Sequence, residues 1–225
     1  MDVAQNLAEI KTKINEASHK VNRDPNEITI IAVTKYVTIE RTMEAIEAGI
    51  SDLGENRQEG FLEKYDQIQD NVTWHFIGSL QTRKVKDVIN KVDYLHSLDR
   101  LSLAKEIEKR ASSTVNCFIQ VNVSGEDSKH GLHPDEVMEF VEKISQYTKI
   151  HIVGLMTMAP HTEDKELLHQ VFGILRNLRD TIKERNYPFA PCEYLSMGMS
   201  NDYDIAIEEG ATHIRIGSKL VGANK

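Results

Sequence analysis

The sequence lacks the residues on which disulfide-rich and metal-binding folds depend. Its 225 residues include only two cysteines, Cys117 and Cys192, which form neither a disulfide framework nor a metal-ligand pattern. Cys117 lies in the apolar run 115–121 and is predicted to be a buried apolar side chain. The five prolines and twelve glycines are not gathered into a linker, so we predict a single domain over residues 1–225.

Long hydrophobic runs and a concentrated basic surface are also missing. No stretch approaches the roughly 18 apolar residues that a membrane span requires. The net charge of −8 is spread along the chain, which argues against binding to nucleic acid. The first residues, Met-Asp-Val-Ala-Gln, do not have the pattern of a secretory signal. We therefore expect a cytoplasmic protein with no membrane contact.

An alternation of β-branched runs with amphipathic stretches dominates the chain. Helical spacing is seen over residues 1–20, over Ile39–Ala48 with Ile39, Met43 and Ile46 on one face, and over Leu101–Arg110. Thr38 and Asp99 are the predicted caps at the start of the latter two helices. The predicted strands are Ile28–Thr34, Asp52–Gly54, Thr73–Ile77, Tyr94–Ser97, Val115–Val121, Ile150–Met156, Glu193–Ser196 and Thr212–Ile216.

Eight such strand–helix units predict an α/β fold, a single (β/α)8 TIM barrel preceded by an extra N-terminal helix. An open doubly wound sheet is the alternative, and that form often has a glycine-rich phosphate turn after its first strand. Here the first strand ends Ala-Val-Thr-Lys-Tyr at residues 32–36, with no glycine. The pattern therefore favours the barrel.

Lys35 is the residue that stands out at the barrel's predicted functional end. Catalytic and binding groups gather where barrel strands end, and Lys35 ends a strand that is otherwise apolar. A neutral lysine amine attacks aldehydes. From its position alone, Lys35 is equally compatible with a pocket residue and with a lysine that reaches solvent at the rim.

Two loops near the end of the chain have the composition of a phosphate site. Ser196–Ser200 follows the seventh strand and precedes a helix predicted near Asn201, and Gly217-Ser218 follows the eighth strand. Barrel enzymes frequently bind phosphate between these two loops, with backbone N–H groups and hydroxyls as donors. Either loop alone is also compatible with an ordinary turn around a glycine.

Other polar residues near strand ends are better explained as structural. Glu55 is predicted to form an ion pair with Arg57, Arg215 or a neighbouring strand end, and His75 to be a satisfied core histidine. The histidines have no metal-ligand spacing, so no metal site is predicted. Met156, Met158, Met197 and Met199 are predicted to be pocket walls.

These segments together resemble the pyridoxal phosphate homeostasis protein family, which is similar to the barrel domain of alanine racemase. The resemblance covers nearly the whole chain. The motifs that carry it, in chain order, are Ala-Val-Thr-Lys at 32–35, Gly-Glu-Asn at 54–56, Trp-His-Phe-Ile-Gly at 74–78, Leu-Ser-Met-Gly-Met-Ser at 195–200 and Arg-Ile-Gly at 215–217.

The resemblance implies a pyridoxal 5'-phosphate (PLP) site. Lys35 matches the Schiff-base lysine, and Arg215 matches the arginine that faces the pyridine nitrogen and keeps it unprotonated, which makes the ring a weaker electron sink. The other matched positions are phosphate-binding Ser200, Gly217 and Ser218, and the pocket residues Asn56 and Met199.

The chain differs from alanine racemase after Ser218, where only seven residues follow. In that enzyme a C-terminal β-domain brings a tyrosine, the second acid-base group, across a dimer interface. Without it we expect a monomer with no efficient racemisation, because stereoinversion needs groups on both faces of the substrate. The leading hypothesis is a PLP carrier in vitamin B6 homeostasis that supplies apo-enzymes. The alternatives are an amino-acid racemase and a barrel that serves as an interaction module.

Overall fold

The computed structural model describes residues 2–126 and 129–222 and shows a closed eight-stranded parallel barrel. Each strand pairs with its neighbours in chain order, and β8 closes the sheet onto β1. The strands are β1 Thr29–Val33, β2 Asp52–Glu55, β3 Thr73–Phe76, β4 Tyr94–Leu98, β5 Val115–Gln120, β6 Ile150–Met156, β7 Tyr194–Met199 and β8 His213–Ile216. The predicted barrel is confirmed, and the open-sheet alternative is wrong.

Helices surround the barrel, and the predicted extra helix precedes the first strand. In the described ranges they are α1 Val3–Lys20, α2 Ile39–Glu47, α3 Gln58–Ile68, α4 Val85–Val88, α5 Leu101–Arg110, α6 Val137–Ile144, α7 Lys165–Lys183, α8 Tyr203–Glu208 and α9 Ser218–Val221. None of these helices has the length and apolar character to cross a bilayer. The prediction of one domain over residues 1–225 stays a prediction, and residues 1, 127–128 and 223–225 lie outside the described part.

Alternate residues of each strand face two different environments. On β3, Trp74 and Phe76 pack against Phe61 of α3, with ring centroids 5.4 and 6.3 Å apart. His75, between them, instead contacts His96 of β4 inside the barrel. This period of two separates an apolar layer between strands and helices from the barrel lumen.

The buried face of α2 differs from the predicted one. Thr42 and Ala45 are its buried residues, whereas Met43 is 40% exposed. Helix α2 lies against α1 and α9, and Arg41 donates to the carbonyl of Val221 at 2.9 Å. Ile46 of the predicted face packs against the core, so the prediction was correct for Ile46 and wrong for Met43.

Helix caps follow the sequence signals in part. The side chain of Thr38 accepts from the N–H of Arg41 at 3.3 Å, which confirms it as the cap of α2. The residue that precedes α5 is Arg100 rather than Asp99. Asp99 accepts a hydrogen bond from the guanidinium of Arg100 at 2.6 Å, so its side chain is engaged in an ion pair instead of capping the helix.

Candidate functional site

A cavity of about 500 Å³ opens at the C-terminal mouth of the barrel. It brings together all seven predicted site residues, which the sequence places up to 183 positions apart. They are Lys35, Asn56, Met199, Ser200, Arg215, Gly217 and Ser218. They come from the ends of β1, β2, β7 and β8, which are consecutive around the closed sheet.

Lys35 lies on a tight turn directly after β1. The N–H of Val37 donates to the carbonyl of Thr34 at 3.1 Å, and the N–H of Thr34 donates to Gly54 on β2 at 3.1 Å. The side chain of Lys35 is exposed, and its Nζ lies 4.8 Å from the ring centroid of Tyr36. The backbone is therefore anchored to the sheet while the amine remains accessible from the cavity.

A buried ion pair between α3 and β2 stabilises the backbone of this turn. Lys64 of α3 donates to Oε1 of Glu55 at 2.6 Å and to the carbonyl of Thr34 at 2.7 Å. The hydroxyl of Thr34 donates to the same carboxylate at 2.6 Å. Glu55 has the structural ion-pair role predicted for it, but the partner is Lys64 rather than either predicted arginine.

Asn56 presents an amide oxygen that lacks a partner. Its Oδ1 is buried and has no hydrogen-bond partner within the described residues. The Asn56 backbone is held close to Gly78, where an added Cβ would lie 2.2 Å from the Asn56 carbonyl oxygen. Only glycine at position 78 permits this packing, which fixes Asn56 at the cavity wall.

Arg215 is a buried cation whose side chain is fixed on two sides. Its guanidinium donates to Oγ of Ser196 at 2.6 Å and to the carbonyl of Thr157 at 2.8 Å. Burial lowers its pKa to about 10, and the nearby Asp202 carboxylate offsets part of that effect. Arg215 therefore remains charged at neutral pH, and it lines the cavity from inside the barrel.

The Ser196–Ser200 segment is different from the predicted loop. Strand β7 continues through Met199, so that only Ser200 lies beyond the strand. Gly198 has φ +93°, and a Cβ there would lie 2.6 Å from Cβ of Ala206 on α8. The positive φ and the packing against α8 are sufficient by themselves to require glycine at this position.

The methionine prediction is correct in part. Met158 and Met199 line the cavity. Met156 packs beside Phe118 inside the barrel, and Met197 lies in the layer between strands and helices.

The sequence reasoning missed the cavity histidines. His130 and His161, with Tyr36, also line the cavity. The first two follow β5 and β6, so the rule that function gathers at strand ends could have identified them. In the described part of the chain, no group of three or more histidine, cysteine, aspartate or glutamate side chains is arranged to hold a metal ion.

His75 is a core histidine, as predicted, and it belongs to a larger polar cluster. It is buried, and its two ring nitrogens lie 2.9 Å from Asp52 Oδ1 and 2.9 Å from His96 Nε2. Nδ1 of His96 lies 2.9 Å from Oγ of Ser196, the hydroxyl that accepts from Arg215. Nothing in the sequence pattern indicated that His75 and Arg215 are connected.

The chain is similar to known proteins over nearly its whole length. The family model for the alanine racemase N-terminal domain matches residues 5–225. A pyridoxal phosphate homeostasis protein of Aquifex aeolicus is 40% identical, and the alignment covers 100% of both chains.

Two solved structures are informative in different ways. PipY of Synechococcus elongatus, solved with PLP bound, superposes with a TM-score of 0.84 at 28% identity, over 98% of this chain and 100% of that one. Alanine racemase of Clostridium difficile has a TM-score of 0.75 at 16% identity and shows the fold alone; the match covers 97% of this chain and 56% of the racemase. The chain therefore belongs to the family of the alanine racemase N-terminal domain, among the pyridoxal phosphate homeostasis proteins.

Proposed function

We propose that this chain binds PLP at the C-terminal mouth of the barrel, through Lys35, and serves in intracellular PLP homeostasis. The observation that carries the proposal is the convergence of seven residues from four consecutive strand ends on one cavity. The relatives named pyridoxal phosphate homeostasis proteins and PipY, with PLP bound, support the same ligand.

The cavity has the size and polarity that this cofactor requires. Its volume of about 500 Å³ falls in the range of small-molecule sites. The buried guanidinium of Arg215 is suited to a ring nitrogen that accepts a hydrogen bond. The unpartnered Oδ1 of Asn56 offers an acceptor, and a buried polar atom of this kind is costly unless something binds it.

Ser200 and Ser218 supply the phosphate-binding side of the site in this proposal. Both lie on the cavity wall, at the ends of the neighbouring strands β7 and β8, and Gly217 directly precedes Ser218. Hydroxyl groups are good donors to phosphate oxygens. A Cβ at Gly217 would lie 3.5 Å from Val33, an ordinary contact, so the protein's own packing does not require glycine there.

When bound, PLP supplies an aldehyde that condenses with a primary amine, with loss of water. Lys35 provides that amine on an anchored turn, and the Glu55–Lys64 pair holds the carbonyl of Thr34 next to it. Arg215 remains a cation that can donate but not accept, so it does not deliver a proton to the ring nitrogen. These features suit storage of a reactive aldehyde better than strong carbanion stabilisation.

The test compares Lys35→Ala with Lys109→Ala, which removes an exposed amine from the end of α5. We expect the purified protein and Lys109→Ala to absorb in the visible imine band after incubation with PLP. We expect Lys35→Ala to lose that band, because no amine is then positioned at the end of β1. A band that persists in Lys35→Ala would assign the linkage to a different lysine.

Racemase activity is the second candidate, favoured by the imidazoles of His130 and His161 in the same cavity. Either ring provides an acid-base group in addition to Lys35. Exchange of the α-proton of amino acids with deuterium, compared between the unsubstituted protein and Lys35→Ala, separates the two functions. Rapid exchange that requires Lys35 would establish an enzyme, whereas binding without exchange supports the carrier.

We also propose delivery of PLP to apo-enzymes in the cytoplasm by a monomeric carrier. Transfer is measured as recovered activity of a PLP-dependent apo-enzyme mixed with the loaded protein. A recovery rate no faster than with the same concentration of free PLP would contradict direct delivery. The monomer stays a prediction, which sedimentation equilibrium measures directly.

A further inference from the structure

Five side chains form a hydrogen-bonded path through the barrel lumen, from the cavity to the opposite mouth. Arg215 donates to Oγ of Ser196 at 2.6 Å, and that oxygen lies 2.9 Å from Nδ1 of His96. Nε2 of His96 lies 2.9 Å from Nδ1 of His75, whose Nε2 lies 2.9 Å from Oδ1 of Asp52. Every distance is within hydrogen-bonding range.

The direction of donation along this path follows from its two ends. A guanidinium only donates, so Ser196 accepts from Arg215 and gives its single proton to Nδ1 of His96. A neutral His96 then carries its proton on Nε2 and donates to Nδ1 of His75. The same step leaves the proton of His75 on Nε2, where it is donated to the Asp52 carboxylate, a group that only accepts.

The surroundings of His96 favour its neutral form. Burial lowers the pKa of His96 well below its ordinary value, with further lowering by His75 and Arg215. Burial raises the pKa of Asp52, but hydrogen bonds from His75 and Ser51 outweigh that effect and the net shift is downward. The other titratable groups that face the two rings from neighbouring strands are Tyr94 and His213.

The two ends of the path lie in separate cavities. Arg215 lines the candidate cofactor cavity, whereas Asp52 lines a second one at the N-terminal mouth, together with Glu27, Glu193 and His213. The side chain of Asp52 is 17% exposed, so solvent reaches this end while the two imidazoles remain buried. A change of charge at Asp52 therefore has a continuous path of polarisable bonds to Arg215.

We propose that Asp52 at one mouth of the barrel orients Arg215 at the other mouth through this chain of hydrogen bonds, all of which donate in the same direction. The inference rests on the proposed function in one respect, because its effect is exerted on the bound cofactor. The ring nitrogen of that cofactor then experiences a guanidinium whose geometry depends on the charge of Asp52. His75, His96 and Ser196 are positioning residues that act through Arg215.

The direction of the path is tested first without cofactor or substitution, by ¹⁵N NMR of the histidine rings. At neutral pH, we expect His75 and His96 each to be neutral with the proton on Nε2. A proton on Nδ1 of either ring would overturn the proposed direction. Because this measurement uses the unsubstituted protein, it does not depend on whether a variant folds.

Coupling to the cofactor is tested by a double-mutant cycle on the PLP-loaded protein, with Asp52→Asn and Ser196→Ala. We expect Asp52→Asn to shift the pH midpoint of the visible band by about half a unit, since it removes a charge linked to the site. In the Ser196→Ala background the same substitution should shift the midpoint by less than a third of that, because the path is cut. Equal shifts of the pH midpoint in both backgrounds would contradict a coupling of Asp52 to the cofactor through Ser196.

Ser97→Ala provides the matched control. Ser97 is buried on β4 next to His96, and its hydroxyl has no partner in the described residues. We expect Ser196→Ala to weaken PLP binding about fivefold through the lost hydrogen bond, and Ser97→Ala less than twofold. Equal effects of the two substitutions would contradict the positioning role. A visible band absent from the unsubstituted protein would instead refute the proposed function, while the ring tautomers still report on the path.

Discussion

The lumen of this barrel and the layer between its strands and helices are built from opposite kinds of side chain. In the outer layer, Trp74 and Phe76 of β3 pack on Phe61, and aliphatic residues continue this packing around the barrel. In the lumen, His75 and His96 are hydrogen-bonded to each other and connected to two charged groups. Adjacent residues of one strand therefore belong to environments with different functions.

The difference shows where stability and function reside. Burial of apolar surface drives folding, so the outer layer contributes most of the stability. Buried polar groups contribute little net stability when satisfied, and they are costly when a partner is removed. The lumen and its C-terminal mouth are therefore free to hold binding groups. Substitutions in the two regions should have clearly different effects.

The largest effect is expected from Phe61→Ala in the outer layer. Phe61 is fully buried and makes edge-on contacts with Trp74 and Phe76. A cavity of this kind costs about 3–5 kcal/mol of unfolding free energy. Urea denaturation measures it, with Tyr36→Ala as the control, because Tyr36 is an aromatic residue that is 55% exposed at the cavity. Similar losses of unfolding free energy in both variants would contradict the distinction between the outer layer and the cavity.

Lys64→Met should cost nearly as much, about 3 kcal/mol, by leaving the Glu55 carboxylate buried without its cation. Lys35→Met, which alters an exposed lysine at the cavity, should change the unfolding free energy by less than about 0.5 kcal/mol. The same denaturation series compares the two lysines. A small loss for Lys64→Met would mean that Glu55 finds a different partner.

Acid should destabilise the protein through a lumen histidine. Burial lowers the pKa of His213 in the folded protein to about 3, against an ordinary value of 6.5, with smaller effects from His75, Asp52 and Arg215. The unfolded chain therefore binds more protons between these values, and stability falls as pH decreases from 6.5 toward 3.

Unfolding free energies of His213→Gln at pH 7 and pH 4.5 check this dependence. The variant should lose less stability on acidification than the unsubstituted protein. His133→Gln, which replaces a histidine with a side chain 60% exposed, should keep the full dependence. Identical pH profiles for the two variants would exclude His213 as the source.

The smallest effects separate two glycines near the C-terminal ends of β7 and β8. Gly198→Ala should cost about 1–3 kcal/mol, because φ is +93° and the new Cβ meets Ala206. Gly217→Ala should change stability by less than about 0.5 kcal/mol, since its φ is negative and the new contact is ordinary. Thermal unfolding measures both. If Gly217→Ala folds normally but binds PLP weakly, Gly217 acts on the ligand rather than on the fold.

The barrel and the seven candidate residues were both predictable from the sequence, but for different reasons. Strand and helix periods are local properties, so β-branched runs separated by amphipathic stretches identify the fold without reference to distant contacts. Lys35 was conspicuous because it ends an apolar strand, and the resemblance assigned it a role. On α2 the hydrophobic period was correct for Ile46 but not for Met43, because the buried side includes Thr42 and Ala45, whose polar or small side chains this period does not reveal.

By itself, the sequence determined the alternation that closes into a barrel, the family, and the set of residues at strand ends. Only the tertiary structure decided which polar side chains meet across the lumen. It placed His96 between His75 and Ser196, whose positions are 121 residues apart, and it gave Glu55 the partner Lys64. The physical reason is that a hydrogen bond depends on atomic distance and direction, whereas sequence periodicity specifies only which face of a strand a residue occupies.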